Sequence, residues 1–172
     1  MPTVALATCR EFPELDHEDR LLIPALARLG IEAQPAVWTD PDVDWASFDA
    51  VVLRETWDYS DDRPAFLAWV ESTAGVTQLL NPADVVAWNT DKRYLRDLAA
   101  AGMPVVPTTF LEPGDDAATW LPQGEFSDVV VKPAVSCGSR DTVRYALDQP
   151  MADADAHVAR LLGEGRTVMV QP

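Results

Sequence analysis

The sequence predicts an α/β protein in two parts, and two observations carry that expectation. The first half alternates short apolar runs with amphipathic stretches at helical spacing, the pattern of a parallel sheet whose strands are joined by covering helices. After Pro82 the rhythm changes to β-rich runs separated by small and polar residues. The expected domains are therefore residues 1–82 and 83–172.

Residues 3–9 form a short apolar run and read as a buried first strand. A polar loop over 10–16 follows, and a helix is expected over 17–29. Asp16 is placed to cap it, Glu18 and Asp19 favour its positive end, and Leu22, Ala25, Leu26 and Leu29 recur at helical spacing until Gly30 stops it. Residues 31–38 and 49–56 read as the second and third strands. A helix over 64–72 presents Phe66, Leu67 and Val70 on one face, and a fourth strand over 77–80 is closed by Asn81 and Pro82. Ligands of such sheets sit at the carboxyl ends of the strands. Two polar segments fall there, residues 9–16 and 54–59.

In the second half a short helix is expected over 84–89 and a longer one over 91–101, capped by Asn89 or Thr90 and ended by Gly102. A prolyl turn over 103–108 leads into a strand, and 115–120 reads as a short helix. The run 129–133 is a strong strand signal with 142–147 as its partner, followed by a helix over 154–162 and a strand over 167–170. So apolar a strand needs neighbours on both sides. No later segment offers them, so the expectation is a truncated lobe whose last strand lacks partners, an edge that invites self-association such as a homodimer.

Charge narrows the function. With 28 acidic against 13 basic residues the formal charge is -15, which repels nucleic-acid backbone and anionic membrane. It also repels nucleotides in general, so any phosphate site must be a local positive spot. No run approaches the roughly 20 apolar residues of a membrane span, and no basic region precedes the first apolar stretch as in a signal peptide. Cys9 and Cys137 match no metal spacing, and a cytoplasmic protein with reduced thiols is expected. His17 and His157 lie in acidic helical stretches and read as solvated. The acidic groups at 40–44 and 153–155 lack calcium-loop spacing and read as turns and caps. No metal-ligand set is expected within the chain.

Lysine usage is the most informative feature. Lys92 and Lys132 are the only lysines, and the other residues counted as basic are all arginine. Lysine is a compact, mobile point charge that suits a phosphate oxygen in a tight pocket. Lys92 reads as standing in the first turn of a helix, where free N–H groups also favour anions. Lys132 ends a strand behind three valines, so it is expected to face inward, where it needs an anionic partner.

Trp88-Asn89-Thr90-Asp91-Lys92, then Gly102 to Thr108, then Val130-Val131-Lys132-Pro133 and a small-residue loop, resemble as an ordered set the ATP-grasp superfamily. The resemblance covers essentially the whole chain. It implies a Rossmann-like pre-ATP-grasp domain over 1–82 and the incomplete N-terminal lobe of an ATP-grasp domain over 83–172. It also implies that Lys92 and Lys132 contact ATP phosphates and that the loop 134–142 folds over the triphosphate, with Ser136, Cys137, Gly138, Ser139 and Arg140 as its binding residues. Gln171 would lie on the strand leading to the adenine. The loop has a single glycine where many members have several, and Arg140 would supply charge that the missing glycines do not. The family's magnesium ligands come from strands later than Pro172. Within the superfamily, Leu53 to Tyr59 and the loop 9–16 resemble the cycloserine-forming and glutathione-synthetase-like subgroup, whose acceptors are small and amino-acid-like. On that basis Arg54 would pair with a substrate carboxylate, Asp58 or Asp16 with an amine, and Trp57 with Tyr59 would form walls. The implied activity is an ATP- and Mg2+-dependent ligase working through an acylphosphate, with this chain inactive alone. The alternative is a non-catalytic small-ligand-binding or interaction module on a Rossmann-like fold.

Overall fold

The computed structural model describes residues 1–120 and 126–172, in two compact units, Met1–Trp88 and Asn89–Pro172. The first unit is built on β1 (Thr3–Thr8), β2 (Glu32–Val37), β3 (Ala50–Glu55) and β4 (Gln78–Leu80), all parallel in the order β2-β1-β3-β4. β1 is central, which is why its run is apolar throughout: Ala5, Leu6 and Ala7 are buried. Its crossovers run through α1 (Leu22–Arg28) and α2 (Arg63–Ala74), and α3 (Ala83–Asn89) follows β4. Phe66 and Val70 of α2 pack on Ala5, Ala7 and Val51, ringed by an aromatic cluster in which Trp38 meets Phe66 edge-on at 5.2 Å and Trp45 meets Trp69 at 5.1 Å.

The helix expected over 17–29 is shorter than predicted. Asp19–Leu21 is a 3₁₀ turn, and the α-helix starts at Leu22. Pro24 explains this, because proline has no N–H and its ring collides with the carbonyl four residues before it, so it is tolerated only in a first turn.

The second unit holds an antiparallel sheet of β5 (Thr109–Leu111), β6 (Asp128–Pro133), β7 (Val143–Ala146) and β8 (Val168–Gln171), in the order β5-β8-β6-β7. The strand expected to lack partners is corrected here. β8 is hydrogen-bonded to β5 on one side and β6 on the other, and Val168, Met169 and Val170 are fully buried. Its partners come from earlier in the chain, a long-range pairing that a local pattern does not display. One face of this sheet packs on α5 (Ala152–Gly163), where Val129, Val131, Val168 and Val170 meet Ala154, Val158 and Leu161. Trp120 closes this core, its indole N–H donating to Asp155 at 2.7 Å.

Three local expectations in this unit also change. The helix expected from 91 begins only at Tyr94, as α4 (Tyr94–Ala100). The helix expected over 115–120 is a 3₁₀ turn, Ala117–Thr119, capped by the Asp116 carboxylate. His157 is not solvated: it is 8% exposed, with Nδ1 3.0 Å from the Tyr145 hydroxyl. Among the described residues no helix is long and apolar enough to cross a membrane.

Candidate functional site

Lys132 lies on β6 between Val131 and Pro133, which turn to the opposite face and are buried. Lys92 stands in a turn ahead of α4, not in a helical first turn. The reason is Asp91, whose buried carboxylate accepts from the Arg93 N–H at 3.0 Å and from the Arg93 guanidinium at 2.6 Å. That local bond competes with helix initiation. The Lys92 N–H is also taken, donating to the Ala134 carbonyl at 3.0 Å.

The Lys92 ammonium donates to three neutral acceptors: the Ser136 carbonyl at 2.7 Å, the Ser136 hydroxyl at 3.0 Å and the Ala134 carbonyl at 3.3 Å. An ammonium has three N–H donors, so its capacity is used. Among the described residues no carboxylate lies within ion-pair distance of either lysine. Burial pushes the Lys92 pKa down, and the positive charge of Lys132 pushes it down further. Burial likewise lowers Lys132. Asp91 acts on Lys92 from beyond ion-pair distance, and its carboxylate is already paired with Arg93. Two half-buried cations in one electrostatic neighbourhood, without an ion pair among the described residues, favour an incoming anion.

The loop after β6 is fastened at both ends. At its start Ser136 is buried, held by Lys92 and donating from its hydroxyl to the Pro133 carbonyl at 3.3 Å. At its far end the Asp141 carboxylate bridges Arg166 at 2.6 Å and Arg160 at 2.7 Å, pairs that hold it below the usual carboxylate range. Cys137 is half-buried, and Gly138, Ser139 and Arg140 are exposed. Gly138, Ser139 and Asp141 have φ of 59°, 58° and 53°, so the chain reverses tightly with only one glycine. Gln171 sits opposite Val130 in the β6–β8 register and donates from Nε2 to the Thr108 hydroxyl at 2.8 Å.

In the first unit, the residues expected to meet substrate gather near the carboxyl ends of β1 and β3, and most already have partners in the chain. Arg54 forks onto Asp19 through Nε at 2.9 Å and Nη2 at 2.5 Å. Asp16 accepts from the N–H groups of Glu18 and Asp19, each at 2.8 Å, and these bonds hold its carboxyl low. Asp58 accepts from the Trp38 indole at 2.6 Å. Trp57 is 41% exposed and meets the Phe12 ring edge-on at 5.1 Å, whereas Tyr59 packs on Phe66 at 5.5 Å, in the core cluster.

Sequence reasoning missed Glu55, the last residue of β3. It is 1% exposed, and both its carboxylate oxygens lie 3.0 Å from the Asp16 N–H. Burial pushes its pKa up, and the Asp16 charge adds to that. The signal available was its position: Glu55 ends an apolar strand, in alternation with the buried Val51 and the half-buried Leu53. Oxygens of Asp16, Asp19 and Glu55 lie within 4.8 Å of one another, a grouping the linear spacing did not reveal. Asp19 is neutralised by Arg54, and acids group this way without a metal, so no metal is assigned to them.

Residues 4–81 match the family model of the D-cycloserine synthetase DcsG N-terminal domain. The chain is 41% identical over 179 residues to the cycloserine biosynthesis protein DcsG of Streptomyces lavendulae, an alignment covering 100% of this chain and 59% of that protein. It superimposes on the crystal structure of D-cycloserine synthetase DcsG with a TM-score of 0.87 and 40% identity, over 99% of this chain and 59% of that one. It also superimposes on the RimK domain ATP-grasp protein of Sphaerobacter thermophilus with a TM-score of 0.67 and 25% identity, over 98% of this chain and 63% of that one. The chain thus spans about three fifths of the length of these relatives, 59% in the first two.

Proposed function

We propose that this chain supplies the substrate-side domain and part of the phosphate clamp of an ATP-dependent ligase, a reading supported by the match of residues 4–81 to the D-cycloserine synthetase N-terminal domain model and of the whole chain to three fifths of ATP-grasp relatives. The observation that carries this reading is the pair Lys92 and Lys132, two half-buried cations without an ion pair among the described residues, beside a loop of small residues. Residues 1–82 and 83–172 then correspond to a pre-ATP-grasp domain and the first lobe of an ATP-grasp domain. Lys132 supplies a charge for phosphate oxygens. Lys92 adds its field and holds the loop, whose backbone at Ser136, Cys137, Gly138, Ser139 and Arg140 follows the nucleotide. Gln171 marks the strand on the adenine side.

The reaction is phosphoryl transfer followed by displacement. A substrate carboxylate oxygen attacks the γ-phosphorus of ATP, the bond to the β-phosphate oxygen breaks, and ADP leaves. A nucleophilic amine or amide then attacks the acylphosphate carbon, expels phosphate and loses a proton. Catalysis of this kind is positioning and charge stabilisation. Magnesium, which such chemistry uses, finds no carboxylate set beside the two lysines among the described residues, so no step is assigned to it here. On the substrate side Trp57 and Phe12 offer an aromatic wall, and Asp16, Asp58 and Arg54 offer charge for a small amino-acid-like substrate.

Phosphate release by the full-length protein, measured with and without small amino-acid-like substrates, tests this reading. Release that requires both ATP and such a substrate supports it. Binding of the substrate with no phosphate release supports the non-catalytic module instead.

A further inference from the structure

Leu15 is 1% exposed and holds a φ of 63°. Left-handed backbone at a branched, buried, non-glycine residue persists only where the surroundings over-determine it, and such residues cluster at functional loops. Two side chains from neighbouring strand ends provide the restraint. Thr8, at the end of β1 and fully buried, donates to the Phe12 carbonyl at 2.7 Å. Glu55, at the end of β3, accepts from the Asp16 N–H through both oxygens at 3.0 Å, one of which lies 3.4 Å from the Thr8 hydroxyl. The loop is thus pinned on both sides of Leu15, and Phe12 is held with its ring against Trp57.

The choice of glutamate needs explaining. No arginine or lysine lies within ion-pair distance of Glu55 among the described residues, and a buried carboxylate is costly without one. A neutral acceptor would satisfy one N–H at lower cost. A carboxylate, however, is a charged acceptor and holds that N–H more strongly than a neutral group does, here sharing it between both oxygens.

Resting on the ligase reading above, we infer that Glu55 is a positioning residue for the substrate. It acts through Asp16 and Phe12 to fix the loop between β1 and α1 as the wall against which a small amino-acid-like ligand lies.

The test uses the full-length protein as wild type, Glu55→Gln and Thr8→Val, with D-cycloserine, the compound named for the relatives, as the probe. Hydrogen exchange over 9–16 and affinities for D-cycloserine and for magnesium-ATP are measured together. In Glu55→Gln, exchange at Asp16 should quicken and D-cycloserine affinity should fall about tenfold, while magnesium-ATP affinity changes less than about twofold. Thr8→Val should act in the same direction, more weakly. Unchanged exchange, unchanged D-cycloserine affinity, an equal loss for both ligands, or a wild type with no affinity for D-cycloserine would each overturn the inference. Failure of the ligase reading looks different: a wild type that binds D-cycloserine but never releases phosphate from ATP.

Discussion

The Lys92 ammonium donates to the Ser136 carbonyl at 2.7 Å and to the Ser136 hydroxyl at 3.0 Å. A cation, and not the end of a helix, therefore ties the turn before α4 to the loop after β6. Lys92→Met should free residues 134–136, seen as faster hydrogen exchange there. The stability loss should be modest. Three bonds from a charged donor would be worth about 1.5–3 kcal/mol each taken singly. Burial, however, disfavours the Lys92 charge, so removing that charge offsets much of the loss. A net fall near 1 kcal/mol in denaturant unfolding is expected.

The depressed lysine pKa values set a pH dependence with opposite signs in two measurements. Anion binding needs the charged form, so magnesium-ATP affinity is full at neutral pH. It declines as pH rises through folded pKa values lying below 10.5. The ligand-free protein runs the other way. Its folded state binds fewer protons than the unfolded chain between those values and 10.5, so these lysines add stability as pH rises through that window. Lys132→Arg keeps its charge throughout and should flatten the alkaline fall in affinity. Calorimetric titration across alkaline pH reads the first effect, and thermal melts without ligand read the second.

Most of the fold was legible because its strands are locally apolar. β1, β3 and β6 each carry a run of alanine, leucine or valine, buried through the end of β1 and at alternate positions in β6, and those runs suffice to place them. What a local pattern cannot carry is pairing. β8 lies between β5 and β6, both far earlier in the chain, so it read as unpartnered. Helix starts failed for side-chain reasons: the Asp91 carboxylate captures the Arg93 N–H, and Pro24 bars a longer α1. His157 was misread from its acidic neighbours, although Ala154, His157, Val158 and Leu161 share one buried helical face whose spacing was visible. At the site, the lysines stood out by rarity. Glu55 did not, because its burial depends on a loop that folds back over it.

Asp141 is the anchor at the far end of the phosphate loop, so Asp141→Asn should loosen residues 138–142. Partly exposed ion pairs contribute roughly 0.2–1 kcal/mol each, and about 1 kcal/mol in total is the expected loss. Because its folded pKa is depressed, that contribution is present above the ordinary aspartate range and is lost as pH falls through the folded value. Exchange in the wild type should be fastest at Gly138 and Ser139, which are exposed at the tip of the loop. Arg160→Ala should also loosen the loop, since Arg160 holds both Asp141 and Glu164.

His157 is held neutral by burial, its Nε2 buried without a hydrogen bond of normal geometry. Its folded pKa lies below the ordinary 6.5, so its contribution to stability is whole above that value and declines as pH falls toward the folded pKa. His157→Phe keeps the ring packing on α5 and should flatten this part of the acid limb. Melting midpoints between neutral and mildly acidic pH, compared with wild type, measure the difference.

Titration of magnesium-ATP into the full-length protein, comparing wild type with Lys132→Ala and Arg28→Ala, tests the phosphate clamp most directly. Lys132 has no protein counter-charge among the described residues, whereas Arg28 is exposed at the end of α1. Loss of one charged donor to phosphate should weaken binding by about 1.5–3 kcal/mol, roughly ten- to a hundredfold, in Lys132→Ala. Arg28→Ala should leave the affinity as in wild type. Equal affinities for all three proteins would contradict the account, because the charge at Lys132 would then have no nucleotide to hold.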